Sequence, residues 1–286
     1  MKLRQSERKK AKIKMALQAP AGAGKTYSAL LLAKGLTNGD FTKVAVIDTE
    51  NGSADLYAHL GNYNVLTLPS PFSPEKYIEA IELCEKSGIE VVIIDSITHC
   101  WEFLLDFHSS LAGNSFTNWG KVTPRQKAFV DKILQSNCHI IATMRTKQDY
   151  VLNQKDGKYI PEKVGLKAVQ RDGMDYEFTL VFDIDIKHNA IASKDRTGLF
   201  MGKPEFVINS ATGKKILEWC NSSMTIQELT SKIESSVTLD ELTKLYRAYP
   251  DISKSIEKQF IEKRNLLQQL SNPKNFSSNG TTNSHQ

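Results

Sequence analysis

The eight residues Ala19-Pro20-Ala21-Gly22-Ala23-Gly24-Lys25-Thr26 limit what this chain can fold into more than any other stretch. The apolar run Ile13 to Leu17 precedes them, and Tyr27 to Lys34, rich in helix formers, follows. Strand, glycine loop and helix in that order are the context in which such a loop holds phosphate. Backbone N–H groups must all turn toward the anion, so side chains are excluded at Gly22 and Gly24, and the helix N-terminus adds partial positive charge. The expected cradle is Ala21, Gly22, Ala23, Gly24, Lys25, Thr26 and Tyr27, with Lys25 at the β- and γ-phosphates and the Thr26 hydroxyl on Mg²⁺. The pattern G-x-x-x-x-G-K-[ST] asks for glycine where this chain has Ala19, a replacement that works if the backbone there is not left-handed.

A chain of 286 residues, 40% hydrophobic and 24% charged, has the material for one large core and a small appendage. No run of about 18 apolar residues occurs, and the first ten residues are basic without an apolar segment, so a cytoplasmic protein with no membrane contact is expected. Cys84, Cys100, Cys138 and Cys220 are widely spaced and form no C-x-x-C pair, which points to reduced core thiols. Of the net charge of +5, the first 14 residues hold more than the whole: Lys2, Arg4, Arg8, Lys9, Lys10, Lys12 and Lys14 stand against Glu7 alone. A basic arm on a near-neutral body suits a polyanion contact or a solubilising tail.

Along the chain, Lys43 to Asp48 reads as a buried parallel strand that ends in the polar loop Thr49 to Ser53, and Val65 to Leu68 as a short strand. Pro74 to Lys86 has helical spacing with Tyr77, Ile78, Ile81 and Leu83 inward, and Gly88 ends it. Val91-Val92-Ile93-Ile94-Asp95 is a second buried strand, whose terminal carboxylate is placed to hold Mg²⁺. Helix is expected at Trp101 to Phe107, a polar loop at His108 to Thr123, helix again from Pro124 to Ser136, and strand at His139 to Met144. Tyr150 to Gln154 and Lys158 to Ile160 flank Lys155-Asp156-Gly157, a β-hairpin signal, and late strands follow at Phe178 to Ile186 and Ala190 to Ala192. The fold class is α/β, a mostly parallel sheet flanked by helices with an antiparallel margin. The expected organisation is a basic arm over 1–11, a core over 12–218, a helical module over 223–270 with caps at Thr238 and Asp240, and a disordered tail over 271–286.

Hydrolysis of a nucleotide needs a group that orients water. The position after Asp95 is Ser96, so the base must come from elsewhere, and Glu50 is the best placed, because strand ends of one sheet converge on a common crevice. Val46-Ile47-Asp48-Thr49-Glu50 resembles the strand of RecA and RadA recombinases that ends in their catalytic glutamate, and Val91 to Ser96 resembles their Walker B strand. Lys194-Asp195-Arg196-Thr197-Gly198 is similar to the Lys-x-Arg-x-Gly segment of the bacterial RadA and DnaB branches. With Asn118-Trp119-Gly120, Thr143-Met144-Arg145 and Tyr176-Glu177-Phe178, residues 12 to 210 resemble phage-type RecA-like nucleotide-binding proteins, a group that includes Sak-type single-strand annealing ATPases.

That resemblance implies a RecA-like ATPase core that uses ATP and Mg²⁺, with Glu50, Lys25, Lys194 and Arg196 catalytic, the last two reaching a neighbour's γ-phosphate in a ring or filament with shared sites. It also implies single-stranded DNA as partner, other recombination proteins as further partners, and two DNA-facing loops. The first, His108 to Thr123, carries Trp119 and Lys121; the second, Lys147 to Gly173, carries Lys147, Lys155, Lys158, Lys163, Lys167 and Arg171. Cations among aromatics suit sequence-tolerant strand binding, though Trp119 suits packing as well as stacking. Two other functions stay open: a nucleotide-gated assembly protein with little turnover, and a small-molecule P-loop kinase.

Overall fold

The computed structural model describes residues 11–155, 158–221 and 226–271. Most of the basic arm, Asp156 and Gly157 of the expected hairpin turn, and residues 272–286 lie outside them. The chain divides into two compact units, one spanning Ala11–Cys220 and one built on the residues from Asn221 onward.

In chain order the first unit contains β1 (Lys14–Ala19), α1 (Lys25–Leu36), β2 (Val44–Asp48), β3 (Asn64–Thr67), α2 (Pro74–Lys86), β4 (Val91–Asp95), α3 (Thr98–Ser110), α4 (Ser115–Gln135), β5 (His139–Lys155), β6 (Lys158–Ala168), α5 (Met174–Glu177), β7 (Leu180–Ile184), β8 (Asn189–Asp195), β9 (Phe206–Val207) and α6 (Ser210–Asn221). The sheet order is β3-β2-β4-β5-β1-β7-β8-β9, with β6 paired to β5. Strands β3 through β7 in that order run parallel, while β6, β8 and β9 are antiparallel additions. This is the α/β class expected, with its antiparallel margin.

Strands β2 and β4 are buried at every residue, as their unbroken apolar runs require when helices cover both faces. Period-two alternation divides β1 between two cores. Met15, Leu17 and Ala19 pack with Leu30 and Leu32 of α1 and Ile216 of α6, and Ala16 packs with Tyr77, Ile81, Phe129 and Ile133 from α2 and α4. Helices α1 and α6 cross with Gly35 against Gly213; a Cβ on Gly35 would collide with the Ser210 and Lys214 backbone, and one on Gly213 with the Leu32 carbonyl. Cys84, Cys100, Cys138 and Cys220 are buried, and none of them takes part in a disulfide. Among the described residues no helix is long and apolar enough to cross a membrane.

In the first unit three expectations change. Leu83 is 53% exposed, because the buried stripe of α2 is Tyr77, Ile81 and Cys84, and Leu83 falls off that spacing. The segment expected as the polar loop His108 to Thr123 is mostly helix. Asn114 caps α4 by accepting from Phe116 N at 2.8 Å, and the buried stripe Asn118, Val122, Gln126, Phe129 and Ile133 carries the helix through Pro124. Two polar members of that stripe, Asn118 and Gln126, disguised it. The strand expected over His139 to Met144 instead continues for 17 residues, leaving the sheet after Arg145 to pair with β6 alone.

The second unit holds α7 (Ile226–Ser235), α8 (Leu239–Ala248), α9 (Pro250–Ser255) and α10 (Glu257–Ser271) around Leu229, Ile233, Leu242, Ile256, Phe260 and Leu267. Thr238 caps α8 by accepting from Glu241 N at 3.2 Å, and Glu241 in return accepts from Val237 N at 3.0 Å. Asp240, the other expected cap, pairs instead with Lys244 at 2.7 Å. Within the helical module expected over 223–270, the helix breaks at Ile256 between α9 and α10, where φ is −123°.

Candidate active site

The C-terminal ends of β1, β4 and β2 and the point at Arg145 where β5 leaves the core line one crest of the sheet. Because β5 lies between β1 and β4, Arg145 stands level with Ala19, and Asp95 ends β4 beside Asp48. The loop after β1 has φ of 79° at Gly22 and 84° at Gly24, left-handed values that exclude most side chains. Ala19 is not among the positive-φ residues; it is a buried strand residue paired with Arg145, which explains why alanine serves there.

Lys25 begins α1 and turns its ammonium back onto the loop, donating to Ala19 O at 3.1 Å and Pro20 O at 3.0 Å. Burial lowers its pKa, against the pull of Asp95 and Glu50. The Thr26 hydroxyl donates to Asp95 Oδ2 at 2.5 Å, and the Thr143 hydroxyl from β5 donates to Asp95 Oδ1 at 2.5 Å. Asp95 is 2% exposed; burial raises its pKa while the two hydroxyls oppose the rise. Hard oxygen donors converging at Thr26 and Asp95 fit Mg²⁺, which keeps most of its waters and takes one or two carboxylates beside phosphate oxygens. Such an ion would supply charge neutralisation at the phosphates.

Glu50 follows β2 in a loop held by Asp48, whose carboxylate accepts from Glu50 N at 2.6 Å and Ala54 N at 3.2 Å. Arg145 grips Glu50 with a two-pronged fork, Nε donating to Oε1 at 3.1 Å and Nη2 to Oε2. His99 Nε2 stands 3.9 Å from Oε1, while its Nδ1 lies 2.8 Å from the Thr49 hydroxyl. Burial pushes the Glu50 carboxyl up, but the Arg145 fork and charge, with His99 beyond, outweigh it and hold its pKa below the usual value. The same pairing raises the Arg145 pKa.

The structure therefore brings Lys25, Thr26, Asp95 and Glu50 to one crest. It does not bring Lys194 and Arg196 there. Lys194 pairs in register with Val181, the neighbour of Ala16, and Arg196 N donates to Thr179 O at 3.0 Å, so both stand level with the first half of β1. Lys194 Nζ donates to the Asp175 and Tyr176 carbonyls, and the Asp195 carboxylate fixes the turn by accepting from Thr197, Gly198, Phe200 and Met201 N–H groups.

Of the residues expected at DNA, Trp119 stacks on His108 at 4.2 Å and on Trp101 at 6.1 Å inside the α3–α4 pair, so packing accounts for part of its surface, and Lys121 is exposed beside it. Lys147 and Lys155 lie on β5, and Lys158, Lys163 and Lys167 on β6; the register sets Lys147 opposite Lys167 and Lys155 opposite Lys158. Lys167 pairs with Asp172 at 2.8 Å, and Arg171 is exposed.

Sequence reasoning gave no role to Arg145, Thr143, His99 or His188. Arg145 and Thr143 belong to the Thr143-Met144-Arg145 block, whose likeness to the family carries no role for either residue. The two histidines come from distant segments, and no spacing links them to the loop.

A phosphate loop opening α1, a hydroxyl–carboxylate pair and a carboxylate on the neighbouring strand end define a P-loop ATPase fold. The chain belongs to the AAA domain family, whose model matches residues 11–227. Among curated proteins none matches. A solved structure similar to it is the KaiC-like protein PH0186 from the hyperthermophilic archaeon Pyrococcus horikoshii OT3, at 16% identity, covering 69% of this chain and 86% of that one with a TM-score of 0.42.

Proposed function

We propose that this protein binds ATP with Mg²⁺ and hydrolyses it as an oligomeric, RecA-like ATPase acting on single-stranded DNA in phage-type recombination. The observation that carries the reading is the meeting of Thr26, Asp95 and Glu50 at one crest beside Lys25. Lys25 supplies cationic stabilisation to the phosphates, and Glu50 orients and deprotonates water. Lys194 and Arg196 do not reach the loop of their own chain, so their part in hydrolysis would be across a subunit boundary. The DNA limb is supported by the resemblance to single-strand annealing ATPases and by the lysine-bearing hairpin of β5 and β6.

ATP turnover with and without single-stranded DNA tests this reading. Stimulation by DNA is expected. Turnover that ignores DNA removes the DNA limb, and no turnover with tight ATP binding favours the second reading, a nucleotide-gated assembly protein. One observation supports that second reading: Arg145 engages both Glu50 oxygens and depresses the basicity a general base needs.

A further inference from the structure

The tip of the β7–β8 hairpin lies over the phosphate loop. It braces itself: Asp185 Oδ1 accepts from Lys187 N and Asn189 N, each at 2.8 Å, Asp185 N donates to Asn189 O at 2.9 Å, and His188 N donates to Asp185 O at 3.0 Å. His188 has a φ of 70°, a left-handed value that a residue with a Cβ keeps only where its surroundings fix it. Its Nδ1 lies 3.1 Å from Ala23 O, and since a carbonyl only accepts, that nitrogen carries the proton. A Cβ on Gly24 would stand 3.3 Å from the same nitrogen, so the imidazole occupies the space this glycine leaves open.

The Ala23 carbonyl and the Gly24 N–H belong to one planar trans peptide and point in opposite directions. Drawing the oxygen toward His188 turns the Gly24 N–H to the other side, into the loop. A hydrogen bond accepted at the oxygen also polarises the amide and strengthens its donor end. We propose that His188 is a positioning residue for nucleotide binding, which orients and polarises the Gly24 amide so that it meets the β-phosphate. This assignment rests on the nucleotide reading of the loop, and its test separates the two.

The full chain, as wild type, His188→Ala and His188→Gln, is titrated with ADP and with AMP in the presence of Mg²⁺. His188→Ala is expected to weaken ADP about fivefold, the worth of one net hydrogen bond, and to leave AMP affinity and the unfolding midpoint unchanged. His188→Gln, which keeps an N–H donor on a side chain of similar reach, recovers most of the loss. Equal ADP affinity in wild type and His188→Ala overturns the role of His188, and so does an equal loss for ADP and AMP. A wild-type chain that binds no ADP overturns the nucleotide reading itself.

Discussion

At the scale of single residues the site turns on Glu50 and what holds it. Glu50→Gln keeps the shape and removes the base, so steady-state turnover should fall by about 10²–10⁴-fold while ATP binding, read by titration, stays near wild type. Near-normal turnover would take Glu50 out of the role. Burial pushes the pKa of that carboxyl up, and Arg145 is the main group that brings it down. Because its fork lowers the Glu50 pKa, Arg145→Ala should move the acidic limb of the turnover–pH profile to higher pH; an unmoved limb would mean that Glu50 is not the group titrating. That Lys25, Thr26, Asp95 and Glu50 converge was legible in the sequence, because each sits at or just past a strand end or where the loop after β1 opens into α1. Arg145 was not, since its role depends on β5 lying between β1 and β4, a matter of sheet order that no local pattern encodes.

At the scale of elements, the hairpin formed by β5 and β6 is the informative piece. Its two strands were readable at Tyr150 to Gln154 and Lys158 to Ile160, yet the continuity of β5 was not, because the buried run His139 to Met144 and the polar stretch after it differ so much in character. Arg145 is the last residue of β5 paired to the core, and Thr146 the first paired to β6, so the side chain that grips Glu50 stands where β5 leaves the sheet. If the hairpin meets single-stranded DNA, affinity should fall steeply with salt. Replacing Lys155 and Lys158 together should reduce the log–log slope by about 1.4, or about 0.7 for each lost phosphate contact. An unchanged slope would place the DNA elsewhere. Helix α4 shows the opposite failure: its second half was legible from Pro124 onward, but the polar composition of its first half read as loop, and only the burial of Asn118 and Val122 carries the stripe back to Ser115.

At the scale of the whole molecule, two measurements bear on assembly and stability. Mixing Lys25→Ala with Arg196→Ala chains should restore part of the activity each lacks, since one intact pairing of loop and partner cation can form; no rescue, with an active monomer, would remove the shared site. For stability, His139 is 4% exposed and accepts from Ile13 N at 3.1 Å through Nδ1, and burial pushes its pKa down to about 3. The unfolded chain takes up that proton below about pH 6.5 while the native one refuses it, so stability rises with pH across this window and is lost as pH falls from about 6.5 toward 3. This one group contributes a slope of about 1.4 kcal/mol per pH unit, which urea midpoints at pH 5 and 7 would report and His139→Gln should flatten. The crossing of Gly35 and Gly213 has its own consequence for anyone shortening the chain. A fragment cut after β9 would strip α6 from a helix whose backbone has no side chain to cover the vacated seam, leaving Leu32 and its neighbours wet. The smallest autonomous catalytic fragment should therefore extend at least to Cys220, and aggregation of shorter fragments would mark where that seam begins.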